Sequence, residues 1–504
     1  MALWATPARK AATFRRGERL CERPYPASRR RPITTKAALG PVPINRNAES
    51  ALILWCGAVG LMARIHLLYF DAGGGHRAAA EALAAAFSQG AAAGEAPRLV
   101  NLQDVLDSVD VIRRWTGIRL QDGYNRLVGR NWTWGFGFLV RPLQALIALR
   151  YKAVVAGLLD FWRRNPADLV VSLVPHFNGA IGAALQASGR RVPFAVVITD
   201  WADTPLGSRW LARRSGGPPR PSFWLYGSPE LLVCGTPRAV AQALDRGLPP
   251  ERVFQASGMI LRPAFYANGG SLEMPRAERA SPAGHRSPAT ERPTGATQTK
   301  SGRATALSPA ECAAERERLG LVPGLPTALV LFGGAGSPAM LTIAAGLDQF
   351  DGRVQAIYIC GRDQRLRRRL QARPARHPRL VLGFTADVPH YMQLADFFIG
   401  KPGPGALSEA LQMTLPAIVV AGRRTMPQER FNADWLQQQG WGQAVKRPGE
   451  VRRAVAAWLR PGALEACRDR VAAVNNRAVF EIRDELRRRF LSSDDAAPPP
   501  PPVD

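Results

Sequence analysis

The run Asp71-Ala-Gly-Gly-Gly-His-Arg77 places an imidazole and a guanidinium directly after three glycines. The preceding residues, Ile65 to Phe70, are mostly apolar and read as a buried strand, and the Ala-rich stretch beyond reads as a helix opening near His76. A strand that passes through glycines into a helix leaves free backbone N–H groups and a positive dipole end in one crevice. Gly73, Gly74 and Gly75 let a reacting group come close to that backbone. A cation fits the first helical turn poorly, so His76 and Arg77 sit where a neutral imidazole is favoured, the state a general base requires. Taken alone, the turn also fits any doubly wound domain with His76 as an ordinary polar residue.

A second constellation lies far along the chain. Lys401, Pro402, Gly403, Pro404 and Gly405 follow the apolar run Phe397 to Ile399, and Glu409 stands about one turn inside the helix that follows. A carboxylate at a phosphate-binding turn is placed to accept hydrogen bonds from the two ribose hydroxyls. The next short apolar strand, Ala417 to Val420, ends in a loop carrying Gln428, Glu429 and Asn432, an amide–acid set able to grip several sugar hydroxyls. The segment Phe332-Gly-Gly-Ala-Gly-Ser337 is a further glycine turn after a strand; the amides of Gly333 and Gly334 and the Ser337 hydroxyl suit a diphosphate oxygen. Two Gly-rich βα crevices, one per half, point to a nucleotide-sugar enzyme with its cleft between two domains.

With these motifs in this order, the chain resembles the monogalactosyldiacylglycerol synthases and the processive diacylglycerol glucosyltransferases. Both are related to the N-acetylglucosaminyltransferase that completes the lipid-linked peptidoglycan precursor. The resemblance covers roughly residues 63–491 apart from an insert, and Val474-Asn-Asn-Arg-Ala-Val-Phe-Glu-Ile482 looks like the closing helix of the lipid galactosyltransferases. It implies a GT-B fold: two Rossmann-like α/β domains facing across a cleft, with the C-terminal helix returning to the first domain. It also implies inverting transfer of a hexose, galactose first, from a UDP-hexose to the 3-hydroxyl of diacylglycerol, with His76 as base. Phe384, in Gly383-Phe-Thr385, falls where the family holds the uracil; a place in the core is the other reading for this ring. Ala72 stands where plant-type members tend to carry a hydroxyl residue, so any role for a hydroxyl is lost here. Glucosyl transfer, N-acetylglucosaminyl transfer to a polyprenyl-linked precursor, a soluble sugar-nucleotide epimerase and a non-catalytic basic nucleic-acid binder are the alternatives. The peptidoglycan enzymes carry a proline after the histidine that this chain lacks.

The elements that must position these groups follow from length and composition. A chain of 504 residues is too long for one ordinary core and divides into two. Residues 1–61 hold 11 Lys and Arg against 3 acids, a net of +8, leaving +19 of the formal +27 for the rest. Such a charge favours anionic partners, and an anionic membrane surface fits better than nucleic acid, for which no zinc spacing, basic zipper or RNA-recognition signature is present. The six cysteines, Cys21, Cys56, Cys234, Cys312, Cys360 and Cys467, are scattered, which argues against a disulfide framework and for a reducing compartment. The apolar run Ala51 to Met62 is too short to span a bilayer. Residues 1–61 read as a disordered basic extension, either transit-like or translated upstream sequence with the start at Met62; the position of Met62 directly ahead of the first strand favours the second.

Continuous apolar strands alternating with helices indicate parallel sheets covered on both faces. Residues 62–266 form the first, acceptor-binding domain, with strands at 168–174, 194–199 and 231–234. Residues 267–307 are poor in aliphatics and read as a disordered insert. Residues 308–470 form the nucleotide-sugar domain, with strands at 328–332, 355–359 and 380–382; residues 471–491 are the closing helix and 492–504 a proline-rich tail.

In Thr199-Asp-Trp-Ala-Asp203, Asp200 and Asp203 end a strand at the cleft, where either can orient acceptor or base, and His176 is a further cleft candidate. The segment is not an Asp-x-Asp metal motif, no ligand cluster has metal spacing, and no cofactor or essential metal is expected. Trp115, Trp132, Trp134, Phe136, Phe138 and Trp162 are mixed with Arg114, Arg119, Arg126, Arg130, Arg141, Arg150 and Lys152 in the stretch from Arg113 to Arg164. That pattern suits an interfacial membrane contact and equally a core helix pair with exposed arginines. With the resemblance, it gives a peripheral, monotopic enzyme on the cytoplasmic face of the inner membrane.

Overall fold

The computed structural model describes residues 63–71, 74–89, 95–110, 149–204, 222–225, 227–266, 306–423 and 425–492, with isolated positions between 113 and 146. The basic extension, Ala72, Gly73, the insert up to residue 305, the proline-rich tail from 493 and the Trp/Arg stretch from 124 to 145 lie outside the described residues.

Two six-stranded sheets carry the chain. In the first, β1 (Ala63–Tyr69), β2 (Glu95–Asn101), β3 (Leu169–Ser172), β4 (Phe194–Val197), β5 (Leu231–Cys234) and β6 (Val253–Gln255) lie in the order β2-β1-β3-β4-β5-β6. In the second, β7 (Thr327–Leu331), β8 (Gln355–Ile359), β9 (Arg379–Leu382), β10 (Phe397–Gly400), β11 (Ala417–Val420) and β12 (Gly442–Val445) lie in the order β12-β11-β10-β7-β8-β9. Every neighbouring pair is parallel. Central strands such as β3, β4, β7 and β10 are buried at every residue, as aliphatic runs covered by helices on both faces must be. The register of β1 against β3 is fixed at its start, where the Arg64 guanidinium and backbone N–H both donate to the Asp168 carboxylate at 2.8–3.0 Å.

Strand order decides where chemistry can sit. The chain runs from β1 to β2 on one side and returns with β3 on the other, so a crevice opens beyond the carboxyl ends of β1 and β3. The second sheet reverses in the same way between β7 and β10. The glycine turn of His76 follows β1, and His176 follows β3; Gly333 to Ser337 follow β7, and Lys401 to Gly405 follow β10.

The chain crosses between the domains twice, and the passages meet at Gly258 and Asn476. A Cβ on Gly258 would lie 2.6 Å from Asn476 Cγ, so only glycine admits the crossing. The Asn476 amide donates to the Met259 carbonyl at 2.8 Å, and its backbone N–H donates to Gln412 Oε1 at 3.2 Å. Beyond it, the helix Ala478–Phe490 buries Val479, Ile482 and Leu486, spaced as one helical face requires. It returns to the first domain and packs on the helix Gly75–Ser88. There Arg483 donates to the carbonyls of Ala86 and Gln89, and Arg487 donates to the carbonyl of Phe87 and forks onto Glu95 at 2.6 and 2.7 Å. Cations on the last carbonyls of a helix satisfy orphan acceptors and suit its dipole.

Two expectations need correction. Trp162 is not an interfacial ring: it is 4% exposed and packs with Leu158 and Val154 in the first domain's core. Of the four edge strands, β9 matches the strand expected at 380–382, and β2, β6 and β12 are absent from the sequence reading. Edge strands are half-covered and need no continuous apolar run; β2 even contains Pro97, which an edge tolerates.

Arg487→Ala should destabilise the protein by about 2 kcal/mol in urea unfolding, the cost of stripping hydrogen bonds from a charged, mostly covered pair. Hydrogen exchange should quicken in residues 478–490; unchanged exchange there would show that the helix is held by its apolar face alone.

Candidate active site

On the first domain the site is built around His76. Gly74 adopts φ +84° as the cap of the helix Gly75–Ser88, a conformation that turns β1 sharply into that helix. His76 is thereby carried over the sheet end, where its Nδ1 lies 2.8 Å from Thr199 Oγ1 and its ring 5.8 Å from that of Trp224. Burial pulls the His76 pKa down to about 4, with a backbone hydrogen bond to Leu173 acting weakly the other way, although the ring keeps part of its surface open. His176 holds φ +72° at the end of β3; its N–H donates to the Phe223 carbonyl at 2.7 Å and its ring stands edge-on to Phe223. Burial, with His76 adding to it, brings His176 down to about 4. A left-handed backbone at a non-glycine residue is strain the surrounding packing must hold.

Asp200 joins this group through Trp224, whose indole N–H donates to Asp200 Oδ2 at 2.9 Å. Burial raises its carboxyl to about 6; the Trp224 bond opposes, Glu429 and Asp203 add to the rise and Lys401 lowers it. Glu429 and Lys401 belong to the second domain, so Asp200 lies where the two sides meet. Asp203 does otherwise. It is 4% exposed and turned inward, accepting from the backbone N–H of Trp224 at 2.9 Å beside Arg246, so its place is structural rather than in the cleft. Arg77 is exposed and paired with Glu81 and Asp71, away from the imidazole's contacts.

On the second domain Gly333 and Lys401 are adjacent: a Cβ on Gly333 would stand 3.8 Å from Lys401 Cε, which brings the β7 and β10 turns together. Gly334 is exposed, and the Ser337 hydroxyl accepts from Ala339 N–H at 3.3 Å at the start of the next helix. Gly403 caps the helix Pro404–Gln412, Pro404 opens it, and Gly405 is exposed beside that free N-terminus. Lys401 Nζ donates to Glu429 Oε1 at 2.6 Å; Glu429 is buried and Lys401 half-exposed. Gln428 is half-buried, its amide directed to Met426 Sδ. Glu409 is half-buried and its pKa is raised by burial against the pull of Arg262. Phe384 is 59% exposed with the Arg362 guanidinium 5.1 Å over its ring, which removes it from the core. Asn432 is 1% exposed, and its amide props the turn by donating to the Pro402 carbonyl at 2.8 Å.

Three contributors went unnoticed in the sequence. Thr199 sits beside Asp200 at a strand end, and a hydroxyl before an acid was the available signal. Trp224 follows residues 205–221, and Arg262 lies in the crossing; neither has a local pattern around it. Among the described residues no three His, Cys, Asp or Glu side chains converge as a metal site requires, and no helix is long and apolar enough to cross a membrane.

Comparison with known proteins places these features in context. A probable monogalactosyldiacylglycerol synthase 2 of Oryza sativa subsp. indica is 28% identical over 433 residues, 82% of this chain and 77% of its own. The monogalactosyldiacylglycerol synthase of Spinacia oleracea is 24% identical over 422 residues, 80% of this chain and 67% of its own. The chain is similar to the monogalactosyldiacylglycerol synthases. No protein-family model matches it. Among solved structures, MurG of Acinetobacter baumannii aligns with 85% of this chain and 99% of its own at a TM-score of 0.49 and 12% identity.

Ring titration by NMR, assigned with His76→Asn and His176→Asn, should show both imidazoles neutral down to about pH 4. A His76 midpoint near the ordinary ~6.5 would mean that water reaches the ring freely.

Proposed function

We propose that this protein is an inverting glycosyltransferase that moves a hexose, galactose first, from a UDP-sugar to the 3-hydroxyl of 1,2-diacylglycerol. The observation that carries the reading is the meeting of His76, Thr199 and Asp200 from one switch-point crevice with Lys401 and Glu429 from the other. The similarity to monogalactosyldiacylglycerol synthases along four-fifths of the chain supports the lipid acceptor and the sugar class.

The chemistry follows from the residues. With its proton on Nδ1 and donated to Thr199 Oγ1, His76 leaves Nε2 bare for the acceptor hydroxyl. The acceptor oxygen attacks the anomeric carbon, its proton passes to Nε2, and the bond from that carbon to the UDP oxygen breaks with inversion. An imidazole with a pKa near 4 is a weak base, but the negative diphosphate favours its charged form and raises its basicity when donor is in place. Departing UDP is stabilised by the amides of residues 333–337, by the N-terminus of the helix Pro404–Gln412, and by Lys401 and Arg262. Glu409 accepts from the ribose diol, Gln428 and Glu429 from the hexose, and the Phe384 loop borders the base. In this reading no metal takes part.

Diacylglycerol resides in the bilayer, so the enzyme works at its surface, drawn to anionic lipid by the +19 of the body beyond residue 61. The cytoplasmic face of the inner membrane is the proposed location.

Expressed in a bacterium that makes no glycolipid, the chain should produce a new monohexosyl-diacylglycerol, and sugar analysis separates galactose from glucose. Folded protein that makes none despite available donor would end this reading. His76→Ala should lower turnover by roughly 10²–10⁴-fold with UDP affinity kept within a few-fold. Glu409→Ala should weaken UDP binding by about tenfold or more in calorimetry, the loss of hydrogen bonds to a carboxylate. Loss of UDP binding in His76→Ala would move the histidine to the donor side.

A further inference from the structure

The two crossings are not the only link between the domains. Trp201, next to Asp200, donates its indole N–H to Ser408 Oγ at 2.9 Å, joining residues 207 apart in sequence. Trp201 is 4% and Ser408 6% exposed, so the bond is dry. The Trp201 carbonyl accepts from Thr236 Oγ1, which also caps the helix Pro237–Leu244, and this anchors the ring to the first domain. Ser408 immediately precedes Glu409 on the helix Pro404–Gln412, whose last residue, Gln412, accepts from Asn476 at the crossing. Trp201 belongs to one apolar cluster that also holds Met259, Phe265, Leu407 and Leu411 and runs through both domains.

We propose that Trp201 and Ser408 form an interdomain clasp that positions the donor against the base. Each acts through its neighbour in sequence: Trp201 through Asp200, Ser408 through Glu409. A buried indole N–H is costly to leave unpaired, and in this dry contact the second domain supplies its acceptor. The bond therefore forms only in one register between the strand end carrying Thr199 and Asp200 and the helix carrying Glu409. That register sets how the anomeric carbon of a donor held by the second domain faces His76. The inference rests on the donor assignment of Glu409.

Trp201→Phe keeps a ring in place and removes the N–H; Ser408→Ala keeps the indole and removes its acceptor, so each variant checks the other. With the fold intact by thermal unfolding, each should lower kcat about tenfold while donor KM and UDP affinity stay within about twofold. The double variant should be no worse than the poorer single, and Ser408→Thr should restore activity. Small-angle scattering of ligand-free protein reads the clasp without any sugar nucleotide: both singles should show a larger radius of gyration than the parent. Unchanged scattering and kcat in both variants would overturn the clasp. Opened variants with parent-like kcat would overturn its positioning role. Opened variants of a parent that turns over no UDP-sugar would leave the clasp standing and remove the donor assignment.

Discussion

The arrangement depends on one close approach. At Gly258 the outgoing and returning passages of the chain come so near that a single carbon would occupy the space of the Asn476 amide. Asn476 donates its side-chain amide to the Met259 carbonyl on one side and its backbone N–H to Gln412 on the other, so a single residue ties the first domain to the helix Pro404–Gln412. Across the same pair of domains Ser408 meets Trp201, and Lys401 and Glu429 lie within electrostatic reach of Asp200.

The Trp201–Ser408 contact is dry, and burial around it sets the resting electrostatics. Two imidazoles lie well below their ordinary range and one carboxyl well above it, all for the same reason, that burial penalises the charged form. Lys401 and Glu429 pair with each other at 2.6 Å. A site of this kind carries little net charge until a ligand arrives. An incoming dianion then meets neutral histidines, a cation it can draw from Glu429, and the free N-terminus of the helix Pro404–Gln412. Binding energy and changes in protonation are coupled from the start.

The central strands and both glycine turns could be read from the residues because their physics is local. An aliphatic run of five, a turn that needs φ above zero and a helix start occupy consecutive positions. Three of the four edge strands could not be read that way, since β2, β6 and β12 owe their conformation to a neighbour rather than to their own side chains. The same division separates the site residues. His76 and Glu409 belong to motifs, whereas Trp224, Arg262 and Trp201 matter through partners far away in sequence. Asp203 and Asn432 show the converse: both sit in the expected motif, yet each is turned inward to support backbone, and nothing in spacing distinguishes a ligand from a strut.

The helix that opens with His76 is finished by residues near the end of the chain. Phe87 and Arg487, joined by a hydrogen bond, are 400 positions apart. At a synthesis rate of about 5–20 residues per second, the ribosome takes roughly 20 to 80 s to deliver that arginine after the helix has emerged. Through that interval the first domain exists with the helix that carries His76 unsupported at the far end. A nascent or truncated chain thus lacks the brace for the helix of its candidate site.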